Sequence, residues 1–247
     1  DPDEVEETLP IEALFGGAKG PGKTDAIVME ATRQIDHPRY RGVIFRRTYP
    51  QLQEIMDRCH RWYSSLGGIF NSQERRWRFP SGATIFLAHC QHEDDKYNYQ
   101  GHEYQFMGFD QLEQFTESQY LFLISQVRTI DPSIRCYVRG TANPGGVGHI
   151  WVKRRFIDGK RPNQIYKESF TLPNGQILVL TRCFVPATIH DNPTLVKSDP
   201  RYLAWLQSLP EKERKAFLEG NWDVMEGQYF DVWNSSIHVI PTIRPPE

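Results

Sequence analysis

The sequence predicts an α/β fold, a mainly parallel central sheet flanked by helices, with a small helical addition late in the chain. Three observations carry that expectation. Short apolar runs, Ala13-Leu14-Phe15, Gly42-Val43-Ile44-Phe45 and Tyr104-Gln105-Phe106-Met107 among them, have the length and make-up of buried strands. Segments with helical spacing separate these runs, and such alternation favours parallel strands covered on both faces. The first run also leads directly into a glycine-rich loop that opens a helix.

That loop, Gly17-Ala18-Lys19-Gly20-Pro21-Gly22-Lys23-Thr24, has the spacing of a P-loop, followed by Asp25-Ala26-Ile27-Val28 with helical character. Its glycines let successive amides curl toward a phosphate, and the helix start adds unpaired N–H groups and a positive dipole end. Gly17 to Asp25 are therefore expected to cradle a nucleoside triphosphate, with Lys23 on the β- and γ-phosphates and the Thr24 hydroxyl on Mg²⁺. The helix is expected to reach about Gln34, before His37-Pro38.

Gly42 to Thr48 reads as a buried strand ending in Arg46 and Arg47. Gln51 to Ser65 is predicted to be a helix through Leu52, Ile55, Met56, Cys59 and Trp62, closed by Gly67-Gly68. Trp77-Arg78-Phe79 and Ala83 to Leu87 flank Pro80-Ser81-Gly82 as a hairpin. Tyr104 to Asp110 is an apolar strand ending in a carboxylate, and a helix from Thr116 to Arg128 follows, with Thr116 as N-cap and Gln119 in a capping box. Arg135 to Ala142 is a further strand, running into Asn143-Pro144. Asn174-Gly175 centres a two-residue hairpin turn. Two short helices are expected at about 200–208 and 211–220, the second ending on Gly220.

In parallel sheets ligands sit at the carboxyl ends of the strands, so Lys23, Asp110 and Thr141 should converge on one triphosphate. Asp110 has the form of a Walker B carboxylate, expected to hold Mg²⁺ opposite Thr24. The next position often carries a glutamate that takes a proton from water; here it is Gln111, whose amide is no base near neutral pH but can orient a water. Glu113 and Glu117, on a helix after Asp110, are expected to project elsewhere. Thr141 and Asn143 are placed to sense the γ-phosphate.

The net charge of −2 excludes a global field for nucleic acid, leaving only local patches such as Lys153-Arg154-Arg155 between Trp151 and Phe156. A solvated helix face explains that patch equally well. Cys59, Cys90, Cys136 and Cys183 form no CxxC pair, which favours reduced thiols. His89-Cys90-Gln91-His92 lacks the second ligand pair of a structural zinc site. No apolar run approaches the roughly 20 residues that cross a bilayer.

With the motifs placed, the sequence resembles the ATPase domain of the large terminase subunit of tailed bacteriophages. Phe15-Gly16-Gly17 to Thr24, Phe45-Arg46-Arg47-Thr48 and Gly108-Phe109-Asp110-Gln111-Leu112 carry the likeness. So do Gly140-Thr141-Ala142-Asn143-Pro144-Gly145-Gly146, His149-Ile150-Trp151-Val152, Gly220-Asn221-Trp222-Asp223 and Glu226-Gly227-Gln228-Tyr229-Phe230. The resemblance implies a P-loop core with an additional strand, ATP and Mg²⁺, a small lid, and a ribonuclease H-type nuclease domain further on. It implies double-stranded DNA, a portal protein and a small terminase subunit as partners. The motor would form a ring on the portal, in the host-cell cytoplasm, and the isolated domain would be mostly monomeric.

Within that likeness Lys23, Asp110, Gln111 and Lys19 would form the catalytic set, with Thr141 in the coupling motif. Lys19 stands where family P-loops often carry arginine, which loses a bidentate fork. Arg128 and Arg139 are the candidates for an arginine acting across a subunit boundary. Residues 1–195 are expected to be the ATPase core, 196–225 the helical lid and 226–247 a linker, the whole being a domain excised from a longer chain. A helicase-like ATPase, or a nucleotide-binding regulatory module with little turnover, is the alternative function.

Overall fold

The computed structural model describes residues 9–224; the expected linker at 226–247 and the Glu226 to Phe230 segment lie outside them. Among the described residues nine strands form one sheet. They are β1 (Glu12–Gly17), β2 (Arg41–Arg46), β3 (Ile69–Asn71), β4 (Arg76–Arg78), β5 (Thr84–His89), β6 (Phe106–Phe109), β7 (Tyr137–Ala142), β8 (Ile165–Thr171) and β9 (Ile177–Ala187). Their order is β3-β4-β5-β2-β6-β7-β1-β9-β8. From β5 to β9 every pairing in that order is parallel; the antiparallel strands β3, β4 and β8 lie at the two edges. Strand β7 sits between β1, which feeds the P-loop, and β6, which ends at Asp110, so it is the additional strand of the expected core.

Alternation along the strands sorts side chains onto two faces. Val43 and Phe45 join Leu14, Met107, Phe109 and Val138 on one side, while Ile44 joins Ile85, Leu87, Phe106 and Tyr137 on the other. Helices α1 (Lys23–Glu30) and α2 (Leu52–Tyr63) cover the second face; α3 (Glu117–Ile124) and α4 (His149–Phe156) cover the first. The late helices are α5 (Pro193–Ser198), α6 (Pro200–Gln207) and α7 (Glu211–Phe217).

Several expected boundaries move. Helix α1 stops at Glu30 rather than Gln34, and 31–36 continue as turns whose backbone bonds span three residues. Tyr40 and Tyr63 fill the space under this helix and donate to its carbonyls at Ala31 and Val28. Helix α3 has the expected Thr116–Gln119 capping box but ends at Ile124. The β8–β9 turn is one residue longer than predicted. Leu172 N–H donates to Gln176, leaving Pro173-Asn174-Gly175 as the loop, with Gly175 at φ 83°. Strand β3 and helix α5, absent from the sequence reading, are both short.

The P-loop strand is pinned at its start by a buried carboxylate. Glu12, 3 % exposed, accepts from Arg155 on α4 at 2.9 Å, Arg182 on β9 at 3.0 Å and the Tyr120 hydroxyl on α3 at 2.7 Å. Burial pushes its carboxyl up, but the bonds and charges of Arg155, Tyr120 and Arg182 together hold it below the usual value. The stabilisation this lowering brings is present above the ordinary carboxylate pKa and is lost as pH falls through the lowered one. Glu12→Gln leaves Arg155 without its counter-ion and Arg182 with Glu168 alone, and should destabilise the fold by about 3–5 kcal/mol. Urea unfolding at pH 7 checks this, and a cost under about 1 kcal/mol would contradict it.

Candidate functional site: a nucleotide cleft at the carboxyl ends of the strands

Three parallel strand ends converge on a cleft of about 430 Å³ lined by the glycine loop, Asp110, Gln111, Thr141 and Asn143. The loop enters from β1 and leaves through Gly22, whose positive φ of 89° lets it serve as N-cap of α1. Lys23, only 8 % exposed, folds its ammonium back into the loop, donating to the Ala18 carbonyl and to Asn143 Oδ1 at 2.9 Å. Desolvation lowers its pKa to about 8, against the opposing pull of Glu113 and Asp110.

Asp110 is 1 % exposed and saturated. Its Oδ2 pairs with Arg46 at 2.7 Å, and its Oδ1 accepts from the Thr141 hydroxyl. The Thr24 hydroxyl lies 3.2 and 3.4 Å from the two oxygens. Thr24 and Asp110 thus face one another with hard oxygen donors, the donor chemistry that suits Mg²⁺. Sequence reasoning read Arg46 only as the end of a strand; the parallel register, which sets Phe45 beside Phe109, brings it onto Asp110.

The loop amides do not all face the cleft. Ala18 N–H donates to Ala187 on β9 at 2.8 Å, and Lys19 N–H donates to the Phe217 carbonyl at 2.7 Å. The Lys19 ammonium stands 3.6 Å from the centroid of the Phe217 ring. Asn192 Nδ2 donates to the Gly20 carbonyl at 2.8 Å. Gly220 closes the contact: its φ is +68°, and a Cβ there would lie 2.8 Å from Ala18 N. The Asp25 side chain accepts from Arg58, which also lines the cleft, and from Trp62, both on α2.

Gln111 adopts φ 63°, a left-handed conformation rare outside glycine, asparagine and aspartate, with its N–H on Thr141 Oγ1 at 3.1 Å. That reversal swings 112–114 into a 3-10 turn and overturns the expectation for Glu113. Glu113 is 6 % exposed and points inward, Oε1 accepting from Asn143 Nδ2 at 3.4 Å. Burial raises its pKa to about 7; the amides of Glu113 and Asn143 and the Lys23 charge oppose this, and Asp110 adds to it. Glu117 does lie outside, paired with Arg154 at 2.6 Å.

The basic patch of α4 is fully engaged: Lys153 pairs with Asp158 and Asp223, Arg154 with Glu117, and Arg155 with Glu12. The solvated-face reading fits its outer residues better than a nucleic-acid patch. Of the two arginines considered for action between subunits, Arg139 is turned into its own sheet, bonded to Glu30 at 3.2 Å. Arg128 is half-exposed beside Glu103. The segments quoted for the family likeness also meet in space. Trp222 stacks on His149 at 5.5 Å and lies against Gly16.

This sheet order, with a glycine loop on β1, an acidic strand end on β6 and an intervening β7, defines an additional-strand P-loop nucleoside triphosphatase fold. The sequence matches the family described as terminase large subunit, T4likevirus-type, N-terminal, over residues 14–237, and the chain belongs to that family. Among solved structures, a large terminase of a thermophilic bacteriophage in complex with ADP is similar at 18 % identity and a TM-score of 0.61. The match covers 96 % of this chain and 54 % of that one. The chain therefore spans about half the length of that relative. The large terminase ATPase domain of Thermus phage P74-26 is similar at 14 % identity and a TM-score of 0.53, over 88 % of this chain and 91 % of that domain. Comparison with curated proteins returns no match.

Glu113 also makes the site's cost measurable. Its raised pKa means the folded chain holds a proton that the unfolded chain releases, so stability falls between about pH 4.5 and 7 and stays lower above. Glu113→Gln should therefore match the parent near pH 4.5 and exceed it by up to about 2–3 kcal/mol at pH 8.5. Denaturant unfolding at the two values checks this, and a gain that is equal at both would contradict it.

Proposed function

We propose that the chain is the ATPase motor domain of a DNA-packaging terminase, coupling ATP hydrolysis to movement of double-stranded DNA into a procapsid. One observation carries the reading: Lys23, Thr24, Asp110, Thr141 and Asn143, from three different strand ends, line one cleft beside the glycine loop. The ADP complex of the thermophilic phage relative supports a nucleotide there.

In this reading the N-terminal amides of α1 and the Lys23 ammonium bind the phosphates. Thr24 and Asp110 would hold Mg²⁺, which neutralises charge on the β- and γ-oxygens. Thr141, bonded to both Asp110 and the Gln111 amide, ties the metal side of the cleft to β7, as a coupling element must. Lys19 gains a phosphate contact only by leaving the Phe217 ring, so nucleotide entry is linked to the position of α7. The portal, the small terminase subunit and further copies of the chain in a ring are the partners of this activity, in the host-cell cytoplasm.

Lys23→Ala should abolish binding of ATP with Mg²⁺ in calorimetry, because a full charge in a partly dry loop is lost. Unchanged affinity would refute the site. The parent chain should also turn ATP over, with double-stranded DNA as the variable that changes the rate; binding without turnover under either condition would make it a regulatory module instead.

A further inference from the structure

Resting on the hydrolysis reading above, one question concerns the group that takes the proton of the attacking water. Gln111 occupies the usual position and is no base near neutral pH. Its side chain is also committed, Oε1 accepting from Gln114 Nε2 at 2.6 Å, while Gln114 Oε1 accepts from Gln51 at 3.1 Å. Glu113 is the carboxylate that the left-handed turn at Gln111 carries back toward the cleft.

Its surroundings form a built enclosure. The Gly148 N–H donates to the Glu113 carbonyl at 2.7 Å, and a Cβ on Gly146 would come within 2.7 Å of that same oxygen. Inside the enclosure Oε2 is buried with no hydrogen-bond partner among the described residues. A buried carboxylate oxygen left without a donor is costly, and in native structures it calls for a reason. The charged groups facing it are Lys23 and Asp110.

Asn143 links the carboxylate to the P-loop lysine. It accepts from Lys23 Nζ at 2.9 Å with Oδ1 and donates to Glu113 Oε1 at 3.4 Å with Nδ2. One side-chain amide therefore separates Glu113 from the ammonium that is to meet the phosphates.

We propose that Glu113 is the proton acceptor for ATP hydrolysis, stored behind Asn143 until a triphosphate draws Lys23 away from that amide. When Lys23 exchanges Asn143 Oδ1 for β- and γ-phosphate oxygens, Asn143 loses its fixed orientation and its hold on Glu113. Water oxygen then attacks the γ-phosphorus, and the bond from that phosphorus to the β–γ bridging oxygen breaks. The leaving electron pair stays on ADP. One water proton passes to Glu113 and on to solvent as phosphate departs. A carboxyl raised toward 7 by burial is well matched to this task near neutral pH.

The test is single-turnover ATP hydrolysis with Mg²⁺, with and without double-stranded DNA, beside ATP affinity from calorimetry on the same preparations. Glu113→Gln should lower the rate about 10²–10⁴-fold, the range of a well-placed general base, with affinity changed less than about threefold. Glu113→Asp should recover part of the rate. Glu117→Gln, on the surface beside Arg154, should keep it. Asn143→Ala, which removes the restraint on Glu113 without touching either charge, should leave Glu113→Gln still lowering the rate in that background. Parent-like rates in Glu113→Gln would overturn the proposal while ATP binding upholds the site. A parent chain that binds ATP without turnover would also overturn it, and one that binds no ATP would remove both this proposal and the reading beneath it.

Discussion

The Asp110 carboxylate ties four elements into one site, and the rest of the cleft depends on that knot. Its two oxygens meet Arg46 from β2, Thr141 from β7 and Thr24 from α1, while its own residue ends β6. A charge this deeply buried is tolerated only with a counter-ion and a full set of donors. The pair with Arg46 adds specificity of register. Sliding β2 by one residue against β6 would turn Arg46 to the opposite face and leave Asp110 unpaired. The buried carboxylate thus selects the strand alignment that also places Lys23 and Asn143.

The mouth of the cleft is held differently. There the contacts are made to the loop backbone and cross between distant segments: Lys19 N–H donates to the Phe217 carbonyl, Asn192 Nδ2 to the Gly20 carbonyl, and Gly220 packs against Ala18. One loop amide, that of Lys19, is occupied by the end of α7. Under the proposed function, a nucleotide that claims the Lys19 amide would have to loosen this contact, which would link the loop to α7. Trp222, wedged between His149 and Gly16, would extend that link to α4.

The sequence revealed most of this architecture because its signals are local. Glycine spacing, apolar strand runs and the Thr116–Gln119 box each act within a few residues, and each appears where expected. What it hid are consequences of chain reversal and register. Nothing in Asp110-Gln111-Leu112 announces that Gln111 takes a left-handed turn, since only glycine advertises positive φ. A regular helix there would have sent Glu113 away from the cleft, and that assumption failed. Arg46 became a site residue through parallel pairing with β6, and Arg155 left the basic patch because Glu12 lies beneath α4. Both depend on partners more than sixty residues distant.

Lys23 and Glu113 show how the site balances two buried charges of opposite sign. Burial pushes the lysine down to about 8 and the glutamate up to about 7, and each charge partly restores the other. Near neutral pH the pair lies close to its point of neutralisation, which limits the cost of keeping both dry. A triphosphate changes that balance in a definite direction. Its negative charge favours the protonated lysine and disfavours the ionised glutamate, so the lysine commits to the phosphates while the carboxylate becomes a stronger base. Ionising that base then requires positive charge on the same side of the cleft. Lys23 is the cation that faces it, while Arg46 is held at 2.7 Å on Asp110. Under the proposed function these charges would join nucleotide binding to proton acceptance within the chain itself.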